Sequence, residues 1–210
     1  MTVIPFIYHD EDDLMSNTYL LVDNSKQCVV IDPSSPGDGV INYIKKNELK
    51  CKAILLTHTH FDHMRGVDNL VKEFNCPLYV GFDDIPGLTD SYLNCSELCS
   101  SELIVKSKAT SVSEGNIVHL IDEDIRVMYT PFHTIGSASY YLEKSSIIFT
   151  GDALFNGCIG RYDLPTSNRK LIASTLTKLS KLPDEVKVYP GHGRFTSIKE
   201  ERTLNTFVNY

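Results

Sequence analysis

The sequence has no long hydrophobic run and no block of basic residues. No uninterrupted apolar segment approaches the roughly 20 residues that span a membrane. The first thirteen residues include consecutive acidic residues and lack the apolar core of a secretory signal. With 20 Lys and Arg against 27 Asp and Glu, the net charge is -7, which disfavours binding along a phosphate backbone. We therefore expect a soluble, cytoplasmic protein that binds neither nucleic acid nor membrane and acts on a small molecule.

The sequence also lacks a disulfide framework and a serine-nucleophile motif. The six cysteines show no regular spacing, and no Gly-x-Ser-x-Gly elbow is present. Cys95 and Cys99 stand at helical spacing, which predicts packing on one helix face. Cys158 follows Asp152 by six residues. We expect a small buried side chain there, with an oxidisable thiol near the pocket as the alternative. Solvent is therefore the expected nucleophile.

No repeat, low-complexity tract or Pro-, Gly- or Ser-rich linker divides the 210 residues. With 42% hydrophobic residues, the chain is expected to form one domain over residues 1–210. Apolar periodicity predicts many short strands and a few helices, which fit an α/β sandwich. Strands are expected at 3–8, 17–23, 28–32, 52–57, 77–81, 103–106, 117–121, 125–130, 138–143, 146–150 and 186–189. Helices are expected at 38–48, 62–75, 90–99 and 168–181, and again near the C-terminus.

Four of these strands end in a turn that is followed by metal-type ligands. The strand that begins at Lys52 leads into the string Thr57-His58-Thr59-His60-Phe61-Asp62-His63. Three later strands each end in a Pro or Gly break and then one ligand, which is His133, Asp152 or His192. Imidazole and carboxylate suit zinc, iron or manganese, whereas structural zinc sites are usually closed and often cysteine-based. We expect all seven groups to meet at one edge of the fold.

The His-x-His-x-Asp-His string can serve two metals. His58 and His60 lie two positions apart in an extended segment and point the same way, while Asp62 and His63 begin the next turn. Two metals about 3.5 to 4 Å apart would share a water of lowered pKa, which predicts hydrolysis. Purely structural histidines are the competing interpretation, and the three partners downstream disfavour it. His119, in an alternating apolar run, is expected on the polar face of an ordinary strand.

With this ligand string and its three partners, the sequence resembles the metallo-β-lactamase-fold hydrolases, and among them the short glyoxalase II-like members. The resemblance extends over nearly the whole chain. Residues 130–137 are similar to the third-histidine turn of the family, residues 151–155 and 160–165 to its bacterial-type members, and residues 190–193 to its last histidine turn. The resemblance implies a single-domain, four-layer αββα sandwich, in which two packed sheets carry helices on both outer faces.

The resemblance also implies how the ligands divide. His58, His60 and His133 would hold one metal, and Asp62, His63 and His192 would hold the other. Asp152 would bridge the two metals, and Asp62 and Asp152 are the expected catalytic carboxylates. Two divalent ions are implied, with zinc as the expected metal and iron or manganese as alternatives.

The activity that the resemblance implies is hydrolysis of a small thioester of the S-lactoylglutathione type. A thiolate leaving group needs little protonation, because a thiol has a pKa of about 8.5, and the sequence offers no obvious extra general acid. Full-length glyoxalase II enzymes carry a C-terminal helical domain that helps to grip glutathione. This sequence stops at Tyr210, too soon after His192 to hold one. We therefore expect glutathione to be bound weakly.

Four positions depart from the usual pattern of the family and bear on the substrate. Phe132 and Ile135 stand where Gly and Pro are common, Arg65 stands at a frequent Gly, and Tyr162 at a frequent Thr. Phe132 and Tyr162 are expected either to line the pocket or to fill core space. Arg161 and Arg194 follow the late ligands closely and are expected to reach a substrate carboxylate, with structural pairing as the alternative, for example of Arg161 with Asp163.

Two other functions fit parts of the pattern. A persulfide dioxygenase with one iron would need only His58, His133 and Asp152. Against it, the segment 156–161 resembles the glyoxalase-like loop, and the second set of ligands would be superfluous. A non-catalytic metal-binding scaffold is the other alternative, and the open, cysteine-free ligand set disfavours it.

Overall fold

The computed structural model describes residues 1–9, 14–99 and 101–208, and within these ranges it contains two six-stranded sheets. The first sheet consists of β1 to β6 in sequential order, and the second consists of β7 to β12, also in sequential order. The strands are β1 Thr2–His9, β2 Met15–Val22, β3 Gln27–Ile31, β4 Lys50–Leu55, β5 Leu78–Gly81, β6 Ala109–Val112, β7 Ile117–Val118, β8 Ile125–Tyr129, β9 Ala138–Leu142, β10 Ile147–Gly151, β11 Lys187–Pro190 and β12 Thr196–Ser197.

The helices cover the outer faces of the sheets. The α-helices are α1 Gly39–Lys46, α2 Phe61–Met64, α3 Val67–Phe74, α4 Ile172–Ser180 and α5 Ile198–Leu204, and short 3-10 segments lie at Phe82–Leu88, Ser96–Leu98 and Arg169–Leu171. The strands from β3 to β6 pair in parallel, with helices α1 and α3 on the crossover connections between β3 and β5. Among the described strands of the second sheet, β10 and β11 pair in parallel and the other neighbours pair antiparallel. No helix in the described part of the chain is long and apolar enough to cross a membrane.

Central strands of both sheets are buried on both faces because each face packs against a different core. In β3, Val29 enters the core between the two sheets, whereas Val30 enters the core under helices α1 and α3. In β10, Phe149 enters the core between the sheets, whereas Ile148 packs under α4 and α5. Alternation along a strand thus fills three cores, which define four layers. The predicted αββα sandwich is confirmed.

Two predicted elements are wrong. Residues 90–99 do not form an α-helix, because polar side chains bond to the local backbone instead. Asp90 accepts from the backbone N–H groups of Tyr92 and Leu93, and Asn94 accepts from that of Ser96. Residues 103–106 are irregular rather than a strand, and the edge strand β6 lies further along the chain.

The predicted helix 62–75 is divided at Gly66. A Cβ at this position would lie 2.5 Å from the carbonyl oxygen of Ser35 and 3.1 Å from that of Pro33. The backbone N–H of Gly66 donates to the Pro33 oxygen at 2.8 Å. The chain therefore docks closely on the loop after β3 at this point, and α2 and α3 form separately on either side. This break sets α2, which carries two predicted ligands, apart from the outer helix layer.

Candidate metal centre

The seven predicted ligands lie together at one end of the two sheets. His58 and His60 follow β4, Asp62 and His63 lie in α2, and the remaining three follow strands of the second sheet, His133 after β8, Asp152 after β10 and His192 after β11. All of these side chains except His192 are buried. Gly191 permits this convergence, because a Cβ there would lie 2.2 Å from Asp152 Oδ1 and 2.7 Å from His63 Cε1. The loops at these strand ends therefore close on one another around a single point.

His58, His60 and His133 form the first group. Their ligand atoms lie within 4.8 Å of one another, and His60 Nδ1 stands 2.8 Å from His133 Nε2. His133 Nδ1 bonds to the carbonyl oxygen of Arg161 at 2.7 Å, which requires the proton on Nδ1 and leaves a lone pair on Nε2. Three imidazoles held in this way suit a divalent cation.

The tautomer of His58 follows from its neighbours. The hydroxyl of Thr57 donates to Asp32 Oδ2 at 2.6 Å, so its oxygen is left to accept from His58 Nδ1 at 3.1 Å. His58 Nε2 consequently carries a lone pair, and it is buried without a hydrogen-bond partner. A buried, unpaired acceptor is costly unless a cation fills the space before it. This orphaned nitrogen is direct structural support for a metal at the first group.

Asp62, His63 and His192 form the second group. Asp62 Oδ2 lies 3.2 Å from His63 Nε2 and 3.3 Å from His192 Nε2, and the two nitrogens lie 3.2 Å apart. Ligands at zinc distances of about 2.0–2.1 Å stand roughly 3.3–3.4 Å apart on the edges of a tetrahedron. The three atoms therefore have the spacing of one face of a tetrahedral coordination shell.

Asp152 contacts both groups. Its Oδ2 lies 3.3 Å from His133 Nε2 in the first group and 3.4 Å from His192 Nε2 in the second, while its Oδ1 lies 3.5 Å from His63 Nε2. Asp152 Oδ1 is buried and has no hydrogen-bond partner. One carboxylate placed between two ligand groups fits a pair of divalent cations, because it can offset the charge of both.

Two supports outside the seven ligands hold the groups in place, and the sequence analysis did not identify them. Asp84 accepts from the Thr59 and Gly136 N–H groups and from the Thr134 hydroxyl. It thereby joins the loop of His58 and His60 to the loop of His133. Burial raises the pKa of Asp84 to about 6, although these hydrogen bonds lower it.

The beginning of β2 supports the second group. The hydroxyl of Ser16 donates to Asp62 Oδ2 at 2.9 Å, the oxygen that faces both histidines of the second group. The carbonyl oxygen of Met15 bonds to His192 Nδ1. Asn17 holds the same loop through its Nδ2 group, which donates to the carbonyl oxygens of Pro190 at 3.0 Å and Gly193 at 2.8 Å. The residues of the first and second groups are thus positioned by different elements.

Burial and charge set the protonation of the ligands. Burial lowers the pKa of His58 well below its usual value and that of His60 to about 3. Burial also acts to lower the pKa of His63 and His192, but the carboxylates of Asp62 and Asp152 outweigh it and raise these pKa values to about 10 and about 12. A cation that binds the second group therefore displaces protons from these two histidines.

Five of the seven metal-type ligands line the floor of an open cavity of 360 Å³: His60, Asp62, His133, Asp152 and His192. Its wall consists of Leu14, Phe61, Cys95, Cys99, Phe155, Gly160, Arg161 and Leu164. Of these residues, Arg161 was predicted from the sequence to reach a substrate. The apolar ones were not predicted, since they come from segments that are distant along the chain. Cys95 and Cys99 do not share a helix face as predicted. Cys95 adopts a left-handed conformation at φ 63° and precedes the 3-10 segment Ser96–Leu98.

Three predicted substrate-binding residues do not line this cavity. Phe132 is fully buried and packs in the core under α4 and α5, so the prediction of a pocket wall is wrong for this residue. Tyr162 packs against the same core, and its ring lies 5.5 Å from the guanidinium of Arg169. Arg194 donates to Asn156 Oδ1 at 3.1 Å. Adjacency in sequence to a ligand did not predict the direction of these side chains.

Arg161 pairs with Asp163, and Cys158 and His119 lie on the surface. The guanidinium of Arg161 bonds to both carboxylate oxygens of Asp163, at 2.9 and 3.1 Å, so the structural pairing is present. Cys158 is exposed, which contradicts the expected buried filler. His119 lies on the surface next to β7 and pairs with Asp124 at 2.6 Å, as an ordinary polar residue.

Comparison with known proteins defines the family to which this fold and metal centre belong. Residues 12–192 match the model of the Metallo-beta-lactamase superfamily, and the chain belongs to this family. The relatives of this chain include metallo-hydrolases, so the protein is a metal-dependent hydrolase of this superfamily.

Two relatives match over nearly their full length. Probable metallo-hydrolase YqgX of Bacillus subtilis (strain 168) is 34% identical over 198 residues, which cover 93% of each protein. Hydroxyacylglutathione hydrolase GloC of Haemophilus influenzae (strain ATCC 51907 / DSM 11121 / KW20 / Rd) is 30% identical over 197 residues, which cover 92% of each.

Two solved structures share the fold. BLEG-1 B3 metallo-beta-lactamase is 31% identical, covers 100% of both chains and has a TM-score of 0.92. TTHA1623, solved in a di-iron-bound form, is 31% identical, covers 97% of this chain and 99% of its own, and has a TM-score of 0.86. A structural relative thus holds two metal ions in the same fold.

Proposed function

We propose that the protein hydrolyses small thioesters, S-lactoylglutathione among them, with two divalent metal ions. The observation that carries this proposal is the position of Asp152 between two complete ligand groups. His58, His60 and His133 would hold one ion, Asp62, His63 and His192 the other, and Asp152 would contact both. We expect zinc, with iron or manganese as alternatives. The similarity to a hydroxyacylglutathione hydrolase supports the thioester substrate.

The chemistry divides between the ions and the chain. When bound, two adjacent dications lower the pKa of water and polarise a carbonyl group. The residues of the chain keep the ions adjacent, present unprotonated nitrogens and shield the centre. His58 Nδ1 donates to the hydroxyl of Thr57, and His133 Nδ1 donates to the carbonyl oxygen of Arg161. These hydrogen bonds fix the orientations of the two rings. Asp152 keeps its negative charge because His192 and His63 hold its pKa well below the usual range, although burial acts to raise it.

The leaving group follows from the wall of the cavity. Among the described lining residues outside the ligand groups, the ionisable side chains are Arg161 and the thiols of Cys95 and Cys99. Burial raises the pKa of Cys95 to about 11, so it stays protonated and is a poor proton donor. A leaving group must therefore depart without assistance. A thiolate, whose conjugate thiol has a pKa of about 8.5, does so far more readily than an amine.

Side-by-side kinetics on four substrates test the proposal. The fully metallated protein is assayed with S-lactoylglutathione, a thioester without glutathione, a β-lactam and glutathione persulfide. We expect thiol release from both thioesters, with a high KM for S-lactoylglutathione and a less impaired kcat, because remote contacts that bind ground and transition states equally act on KM. Silence on both thioesters would contradict the proposal.

A one-iron persulfide dioxygenase is the second candidate function. The supporting observation is that His58, His133 and Asp152 converge, with His133 Nε2 3.3 Å from Asp152 Oδ2. The tetrahedral spacing of the second ligand group argues against it, because one iron leaves that group without a role. Oxygen uptake with glutathione persulfide, together with one iron per chain, would establish the dioxygenase instead.

A further inference from the structure

The cavity above the ligands has an apolar wall. Phe61, Phe155, Leu164 and Leu14 contribute aromatic and aliphatic surface, and Cys95 and Cys99 contribute thiols. Leu14 lies just before β2, Phe61 lies in α2, Phe155 and Leu164 lie in the loop after β10, and the two cysteines flank the 3-10 segment Ser96–Leu98. Independent segments therefore place apolar groups around one polar centre. This composition is typical of a site that binds the apolar part of a small molecule and orients it by a few polar groups.

Two aromatic rings lie directly beside the metal-type ligands. The ring of Phe155 meets the ring of His192 edge to face at 5.7 Å, with an interplanar angle of 89°. Phe61 immediately precedes Asp62, and one side of its ring is covered by the guanidinium of Arg65 at 4.8 Å. A group attached to the reacting carbonyl must therefore pass along aromatic surface as soon as it leaves the centre.

The wall offers little to an anionic substituent. Among the lining residues that the structure describes, the cationic side chain outside the ligand groups is Arg161, and both oxygens of Asp163 bond to its guanidinium. A substrate carboxylate would therefore have to compete with Asp163 for the guanidinium donors. Glutathione carries two carboxylates and one ammonium group, so its burial here would leave charged groups without partners.

We propose that the preferred substrates are thioesters whose thiol portion is apolar and uncharged, which rests on the proposed thioester hydrolysis. In the reaction a water oxygen bonds to the acyl carbon and the bond from that carbon to sulfur breaks. The water gives both of its protons to solvent, one as its oxygen bonds to the acyl carbon and one from the new carboxylic acid, and the departing thiolate takes one proton from solvent. The apolar wall binds the thiol portion before and during this step, so it determines which thioester is selected.

Three acetyl thioesters that differ only in the thiol portion test this inference. S-benzyl thioacetate is apolar, acetylthiocholine is cationic and 3-(acetylthio)propanoate is anionic. With the fully metallated protein we expect kcat/KM for the benzyl compound to exceed that for the anionic compound by about tenfold or more. Equal or better turnover of the anionic compound would overturn the inference and leave thioester hydrolysis standing. Turnover of none of the three, nor of S-lactoylglutathione, would overturn both.

Variants assign the preference to the wall. Leu164→Gln puts a polar amide in place of the branched apolar end of the side chain, and the hydrogen bond from the backbone N–H of residue 164 to Ser167 is untouched. We expect kcat/KM for S-benzyl thioacetate to fall about tenfold, with unchanged metal content and a clearly smaller loss on the anionic compound. Phe82→Ala is the matched control, because Phe82 is 62% exposed and does not line the cavity. Equal losses of Leu164→Gln on both compounds would contradict the assignment.

Discussion

At the scale of single residues, each ligand group has histidines of its own beside the shared Asp152, so a substitution in one group should release one metal before the other. His60→Ala removes a nitrogen that lies 2.8 Å from His133 Nε2 in the first group. We expect elemental analysis to find about one ion fewer per chain and hydrolysis to fall at least a hundredfold, on the order of the losses seen when metal sites are disturbed. His119→Ala is the control, because His119 pairs with Asp124 on the surface. Persistence of activity in His60→Ala would favour the one-iron alternative.

Ser16 should control the retention of the second ion. Its buried hydroxyl donates to Asp62 Oδ2, the oxygen that faces His63 and His192. Ser16→Ala should lower the affinity for the second ion about tenfold, while the affinity for the first ion and the fold are retained. Titration of the metal-free protein with Co²⁺, followed by absorption, measures the two affinities.

The controls for Ser16 come from the same chain. Ser16→Thr keeps the hydroxyl and should restore the affinity. Ser25→Ala removes an exposed serine that also bonds to a carboxylate, that of Asp122, and should leave both ions in place. A uniform loss of both ions in Ser16→Ala would show that the residue acts on the fold rather than on Asp62.

Asp152→Asn tests the shared carboxylate. The amide keeps the shape but loses the charge that faces His133, His63 and His192. We expect weaker retention of both ions and a loss of hydrolysis of at least about a hundredfold, with a circular dichroism spectrum close to that of the parent. A normal rate of thioester cleavage by this variant would refute the bridging role.

The ligands were predictable from the sequence, whereas the wall of the cavity was not. All seven follow an apolar strand, and the three late ones also follow a Pro or Gly break, which are local signals in the sequence. Leu14 and Cys95 carry no such signal, because only the packing of distant segments brings them to the cavity. Phe132 shows the converse, since it precedes His133 directly and yet points into the core.

At the scale of elements, polar side chains hold the loops that connect the strands, and this gives a pH-dependent contribution to stability. Asp23 begins the β2–β3 connection and accepts from the backbone N–H groups of Ser25, Gln27 and Asp122. Burial acts to raise its pKa, but these hydrogen bonds outweigh it and the pKa is lowered. A carboxyl group whose folded pKa is depressed stabilises the protein above its unfolded pKa of about 3.9.

Asp23→Asn should therefore destabilise the protein mainly at neutral pH. We expect the free energy of unfolding at pH 7 to fall by about 1–3 kcal/mol, as for hydrogen bonds to a charged group. The difference from the parent should shrink as the pH falls below about 4, where the parent loses the same contribution. Urea unfolding of the metal-free proteins over a pH series measures this. Asp38→Asn is the control, since the Asp38 side chain makes no capping hydrogen bond; a pH-independent difference for Asp23 would contradict the argument.

Elements were predictable where periodicity and packing agree. The strands that form the two sheet centres are apolar on both faces and were located to within a few residues. Residues 90–99 had helical spacing, but Asp90 and Asn94 bond to nearby backbone and override it. The segment 103–106 is apolar but pairs with no strand, because Leu103 and Val105 pack on the core under helices α1 and α3 instead.

At the scale of the whole molecule, metal removal should lower stability and not only activity. Four ligands come from the half of the chain that forms the first sheet, and three come from the half that forms the second. Bound ions therefore tie the two sheets together. When the concentration of free ion is a thousand times its dissociation constant, binding adds about 4 kcal/mol to the free energy of unfolding. Chelation by EDTA should lower Tm, and added Zn²⁺ should restore it. An unchanged Tm would indicate that the metal contributes nothing to the joining of the halves.

The sequential order of the strands also governs how the protein is made. All strands of the first sheet precede all strands of the second, so a ribosome delivers the sheets one after the other. Until β8 to β11 have emerged, the inner face of the first sheet, with residues such as Leu21, Val29 and Leu55, has no partner to cover it. The nascent chain thus exposes an apolar sheet face together with an incomplete set of ligands. Because each ligand group draws on both halves of the chain, we expect a complete metal centre to form only after the two halves have met.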